Sequence, residues 1–242
     1  MTPLLIAMAT LIGRRWGPGV SGWLIGFPLT SGPVSVILAL QYGTVFAAQA
    51  AVGNLGGLVS ICAFNLAYTF VSCHGNWLVS AAAAAVTFLI ATALLNSFSL
   101  ALLPTFALAL SVIGLTLRLI PKRALQAVAS QAPRWDLPAR MIVATAFVIT
   151  LTGLAPFLGP QLSGLITPFP IFGTVLAAFA HHQQGAAAAR SLLRGMTVSL
   201  LGVTGFMLVV GGLLTSWGLG RTYALAVAVV IVVNSFAFRL IR

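Results

Sequence analysis

Gly17-Pro18-Gly19-Val20-Ser21-Gly22-Trp23-Leu24-Ile25-Gly26-Phe27-Pro28-Leu29-Thr30-Ser31-Gly32-Pro33 is apolar enough for a buried helix, yet it is repeatedly interrupted. Pro28 and Pro33 each lack a backbone donor and clash with the preceding turn. Gly22, Gly26 and Gly32 permit unwound backbone and close approach of another helix. The stretch has an echo at a constant offset of 142: Gly17-Pro18 aligns with Gly159-Pro160, Ser21-Gly22 with Ser163-Gly164, and Phe27-Pro28 with Phe169-Pro170. The register continues without a gap through Gln41/Gln183, Gly43/Gly185, Gly53/Gly195 and Phe64/Phe206. Shared Phe-Pro and Gly-Pro pairs at one offset point to a duplication rather than to chance in a Gly- and Ala-rich chain.

Composition sets the medium. Of 242 residues, 60% are hydrophobic and 5% charged, with twelve Lys or Arg against one acid, Asp136. Mean hydropathy is +1.10. A soluble domain carries about 25% charged residues, so this chain reads as an integral membrane protein. The net charge of +11 does not indicate nucleic acid, because the bases sit at the ends of apolar runs rather than on a solvated face.

Breaks at Arg, Pro, Gly and polar clusters divide the chain into about nine segments, at 1–13, 20–42, 44–72, 76–97, 98–120, 141–158, 160–182, 187–214 and 221–241. The first is short for a span of about 20 residues; lacking a basic leader and a small-residue cleavage site, it reads as a short or tilted helix rather than a signal peptide. With Arg14 and Arg15 placed in the cytoplasm, Arg118, Lys122, Arg123, Arg134 and Arg140 share one inner loop. Arg190 and Arg194 fall at the next inner turn, and Arg239 and Arg242 at a cytoplasmic C-terminus. Only Arg221 lands outside, as the positive-inside rule asks. The N-terminus is then outside and the location is a bacterial inner membrane.

The expected fold is therefore an all-α polytopic membrane protein with two repeats, 1–97 and 141–242, of four segments each. They are joined by a transmembrane helix and basic loop at 98–140. Five crossings separate the starts of the two units, which makes their topologies inverted. Inverted repeats with Gly- and Pro-broken segments at matching positions point to a secondary transporter and to its binding site. Candidate substrate-binding residues in the first broken segment are Ser21, Gly22, Phe27, Pro28, Thr30 and Ser31. Those in the second are Ser163, Gly164, Thr167, Phe169 and Pro170. Unwound backbone at membrane depth needs protein or a wet cavity around it, and freed N–H groups at a half-helix start favour anions. A Pro kink used only for packing is the alternative.

Gln49, Asn54 and Asn65 follow on the next helix, where buried amides hold helices together first and contact ligand second; Gln49 and Asn54 join the binding candidates. Arg190 and Arg194, one turn apart, read as inner-face anchors or as recruiters of an anionic substrate. His181 and His182 lie beside them without an Asp, Glu or Cys partner, so no metal is expected. Cys62 and Cys73 lack CxxC spacing and read as packing residues. With Asp136 in a polar loop, no carboxylate is left inside an apolar segment to drive a proton or sodium pump.

The element Ser163-Gly164-Leu165-Ile166-Thr167-Pro168-Phe169-Pro170-Ile171-Phe172, followed by Gly185, Ala188 and Arg190, resembles the GlpM-like family of small bacterial inner-membrane proteins. The likeness covers about 60 residues of the second unit and more faintly the first, where Thr30 replaces Phe172 and Ala48 replaces Arg190. It implies a fused pair of what that family has singly, and little chemistry.

The expected function is a secondary transporter or permease for a small polar or anionic solute, working by alternating access. It would be no enzyme and would use no cofactor. Its partners would be the bilayer and a small-molecule substrate, not nucleic acid, with a homodimer or membrane-complex partner compatible. The rival expectation is a non-transporting subunit or regulator that docks a protein or anionic lipid through the basic loop, each base contributing about 1 kcal/mol near an anionic surface.

Overall fold

The computed structural model describes residues 2–28, 31–98, 101–121, 136–143, 145–146, 149 and 169–240, and these are helical wherever they are regular. The order is α1 (Thr2–Trp16), α2 (Pro18–Ile25), α3 (Ser31–Tyr42), α4 (Thr44–Val71), α5 (Trp77–Asn96), α6 (Leu102–Leu119), α7 (Ile171–Gln184), α8 (Ala186–Trp217) and α9 (Leu219–Ala237). Residues 136–143 form a further helical stretch between α6 and α7.

Five of these helices, α4, α5, α6, α8 and α9, are long and apolar enough to cross a membrane. The chain is an all-helical protein suited to a bilayer. At 1.5 Å per residue, α4 and α8 are about 42 and 48 Å long, longer than the roughly 30 Å hydrocarbon core. Large apolar side chains such as Leu89, Ile90, Leu103, Ile231 and Phe236 are exposed, which in water would be an aggregation hazard and in lipid is the solvated face.

The segment expected at 20–42 is not one helix. The chain leaves α2 at Gly26, passes Phe27 and Pro28, and resumes as α3 at Ser31. Each half is too short to span: about 12 Å for α2 and 18 Å for α3. Proline punctuates the halves where its missing N–H is harmless, at the start of α2 (Pro18), in the first turn of α3 (Pro33) and as the N-cap of α7 (Pro170). The expected span 141–158 lies largely outside the described residues.

The helix boundaries follow the offset of the sequence echo. α3 ends at Tyr42 and α7 at Gln184, α4 begins at Thr44 and α8 at Ala186, and α5 begins at Trp77 and α9 at Leu219. α4 and α8 are antiparallel neighbours at the centre. Asn65 meets Thr197 and Cys73 meets Arg190, while at the other end Gly211 lies against the carbonyl of Ala48. Two apolar clusters flank this pair. One joins Phe64, Tyr68 and Phe88 to Val175, Leu176 and Leu192; the other joins Leu55, Cys62 and Ile113 to Phe206, Met207 and Val230.

Candidate functional site

α2 is held on α8 by near backbone contact. A methyl group at Gly22 would lie 1.8 Å from the Leu192 carbonyl oxygen, and one at Gly195 would lie 1.9 Å from that of Gly19. Side chains larger than hydrogen at either place would push the broken half-helix off its support. From the other side, Phe169 packs edge-on against Phe64 and Phe88, with ring centroids 5.9 and 5.3 Å apart. The first broken segment therefore rests on α8, and the end of the second rests on α4 and α5.

The candidates of the first broken segment face different tasks. Ser21 is buried and donates to the Ala9 carbonyl at 2.8 Å, tying α2 to α1. Phe27 stacks edge-on with Trp23 at 4.8 Å. Pro28 accepts from Gly32 N–H at 2.9 Å, and Ser31 begins α3 half-buried. On α4, Gln49 is exposed, and Asn54 donates to Ala50 of its own helix at 3.1 Å. Pro170 is buried and accepts from Thr174 N–H at 2.8 Å and from its hydroxyl at 2.9 Å. Thr30, Ser163, Gly164 and Thr167 lie outside the described residues.

A second polar region, absent from that candidate set apart from Arg194, closes the triangle of α4, α6 and α8. Asn65 Nδ2 donates to Thr197 Oγ1 at 2.9 Å, and that hydroxyl donates to the Leu193 carbonyl at 2.8 Å. Cys62 of α4 and Thr116 of α6 are buried neighbours there. Arg194 is buried and directs Nη1 to the Leu117 and Ile120 carbonyls, at 2.6 and 2.7 Å, capping the end of α6. Asn65 Oδ1, Thr69 Oγ1 and Thr116 Oγ1 are buried there without a hydrogen-bond partner among the described residues. Arg190, by contrast, is half-buried and reaches the Ala186 carbonyl at 3.3 Å and Cys73 Sγ at 3.4 Å.

The third region corrects the placing of Asp136. It is helical rather than in a polar loop, and only 1% exposed. Arg140, one turn on, donates Nε at 2.8 Å, and Arg14 of α1 donates Nη2 at 2.9 Å. Gln183 of α7 donates Nε2 to the same carboxylate and accepts from Arg140. Burial pushes this carboxyl up, but the hydrogen bonds from Arg140, Arg14 and Gln183 outweigh it and hold the group below the usual carboxylate range. The i,i+4 spacing of Asp136 and Arg140 was visible in the sequence; the reach to Arg14 and Gln183 had no local signal.

His181 Nδ1 lies 3.4 Å from the buried Tyr68 hydroxyl, and His182 stacks edge-on with Trp77. Among the described residues no three His, Cys, Asp or Glu side chains are grouped to hold a metal ion. The architecture and these sites define a helical protein of the membrane class. Comparison with family models, curated proteins and solved structures finds no match to this chain.

Proposed function

We propose that the chain is a secondary transporter or permease. It moves a small polar or anionic solute across the bacterial inner membrane by alternating access between two inverted repeats. One observation carries this reading: α4 and α8 begin 142 positions apart and lie antiparallel. A two-fold axis in the membrane plane relates equivalent helices in that way, and such axes are the mark of inverted-repeat transporters.

Several pairings support the same relation. The Ser35 hydroxyl meets the Tyr223 hydroxyl at 2.8 Å, and their equivalents, Ala177 and Ala81, lie together in one apolar cluster. The half-helix α2 of one unit rests on the long helix of the other, while Phe169 of the second rests on α4 and α5 of the first. Crosswise support lets one unit rock against the other without either broken segment losing its bed. The likeness to the GlpM-like family agrees with a bacterial inner membrane and a fused pair. In this topology Cys73, Arg190 and the Asp136 cluster face the cytoplasm.

The orientation is open to the native thiols. Cys73 is exposed and Cys62 buried, so a membrane-impermeant maleimide should label Cys73 in inside-out vesicles and leave it unlabelled in spheroplasts. The opposite pattern would overturn the topology. Function is tested by flux of a panel of metabolites and anions into proteoliposomes of the purified chain. A panel without flux, together with a stoichiometric membrane partner, would replace transport by the role of a non-transporting subunit.

A further inference from the structure

Arg194 has an unusual charge balance. The sequence holds one acidic side chain, Asp136, and among the described residues that carboxylate pairs with Arg14 and Arg140. No acidic side chain is left for Arg194, although it is 94% removed from solvent, being 6% exposed. Its partners are the two carbonyls that end α6, and a helix C-terminus offers about half a negative charge. A guanidinium carries five N–H donors, and among the described residues Nη1 alone has an acceptor. An ion held in apolar surroundings is costly unless it is both paired and hydrogen-bonded.

What surrounds it is equally incomplete. Arg194 sits one turn from Thr197, whose hydroxyl takes Asn65. Its two carbonyl partners follow Thr116, which touches Cys62. Thr69 lies one turn beyond Asn65 on the buried side of α4. Thr116 and Asn65 are fully buried and Thr69 is 2% exposed, yet among the described residues Thr116 Oγ1, Thr69 Oγ1 and Asn65 Oδ1 have no hydrogen-bond partner. Such orphans are rare in folded proteins, where buried polar groups are satisfied by protein, water or ligand. Three of them lie on helices that meet Arg194, two able to donate to an anion and one able only to accept.

We propose that the α4–α6–α8 junction binds a small oxyanion that keeps one O–H, of the bicarbonate or monohydrogen phosphate kind, with Arg194 as its cation. The anionic oxygens accept from the free N–H groups of Arg194 and from the hydroxyls of Thr69 and Thr116. The remaining O–H donates to Asn65 Oδ1, which can only accept. That last contact separates the ligand from chloride or formate, which have nothing to donate. The proposal deepens the transport reading by giving its anionic solute a place on the central helices, but binding is measured without flux.

The test is thermal unfolding of the purified full chain in detergent at constant ionic strength. Sodium phosphate, bicarbonate, formate, chloride and gluconate are each titrated. Phosphate or bicarbonate should raise Tm saturably, with chloride, formate and gluconate giving no saturable rise. Arg194→Gln should abolish the effect and Arg190→Gln should keep it. Thr116→Val leaves the cap on α6 intact and should raise the half-saturating concentration about tenfold, as for one hydrogen bond to a charged group. It decides the matter where Arg194→Gln does not fold. No saturable shift, an equal shift with chloride or formate, or an unchanged half-saturation in Thr116→Val would each overturn the site. Saturable binding without flux of the same anion in proteoliposomes would leave the site standing and count against transport of that anion.

Discussion

Gly43 and Gly185, 142 positions apart, adopt one backbone conformation: φ 89° and ψ 164° in the first, φ 85° and ψ 173° in the second. Each is the single residue between two helices, α3 and α4 in one case and α7 and α8 in the other. That region of backbone space belongs essentially to glycine. A methyl group at either position would meet nothing within 4 Å, so what glycine supplies there is conformation and not room.

Replacing either residue with alanine should therefore cost about 1–3 kcal/mol, the typical strain of a disallowed backbone. Reversible unfolding in mixed micelles should show similar losses for Gly43→Ala and Gly185→Ala. Gly53, inside α4 with open space around its Cβ position, is the control. There the same substitution should stabilise by up to about 1 kcal/mol, because alanine is the better helix former. Neutral outcomes at 43 and 185 would show that the hinges relax into another turn.

Close approach is a separate constraint. Gly22→Ala and Gly195→Ala should each destabilise by about 1–3 kcal/mol, the cost of overpacking a tight contact. The added carbons would collide with main-chain oxygens, which cannot rotate away. A disulfide between cysteines engineered into α2 and α8 should form more slowly when either glycine is also replaced. Unchanged crosslinking would mean that the contact is looser than the backbone geometry implies.

The connection between α4 and α8 is polar as well as apolar. Asn65 and Thr197 are both fully buried and hydrogen-bonded at 2.9 Å. A double-mutant cycle with Asn65→Leu and Thr197→Val should give a coupling of about 0.6 kcal/mol, the average for such bonds between membrane helices. Additive single losses would assign both residues to packing alone.

Much of this was legible in the chain because it depended on local chemistry. Pro28 and Pro33 forbid continuous helix from 20 to 42, and the break falls between Ile25 and Ser31. Gly43 falls at the break expected between 20–42 and 44–72 and Gly185 at that between 160–182 and 187–214, and the apolar runs marked α4, α5, α6, α8 and α9. Length alone misjudged the halves, since α2 and α3 read as one segment until the turn at 26–28 separated them. The polar sites were harder. Asn65 was expected to hold helices together, and it does, but nothing in its neighbourhood named Thr197. Arg194 reaches the end of α6, and Asn65 reaches Thr197, only through the antiparallel placing of α8 and the arrival of α6. Ser21, a hydroxyl expected to face solute, bonds to Ala9 instead because the turn at Gly17 folds α2 back onto α1.

Asp136 carries the clearest pH dependence, because it is the only acidic side chain in the 242 residues. Its folded carboxyl is held below the ordinary range, so the unfolded chain takes up its proton at higher pH, near about 3.9. The cluster's stabilisation is complete above that value and is lost as pH falls through the depressed folded value. Acid titration of unfolding should show this loss setting in below about pH 5, and Asp136→Asn should remove it. At neutral pH the same variant should lose about 3 kcal/mol, the lower end for breaking a buried pair, because Arg14 is 37% exposed and water partly replaces its bond. Arg14→Gln should then lose less than Arg140→Gln, whose guanidinium is 7% exposed. Identical acid profiles for wild type and Asp136→Asn would mean that the carboxylate is already solvated, and that the link from α1 to α7 runs through other contacts.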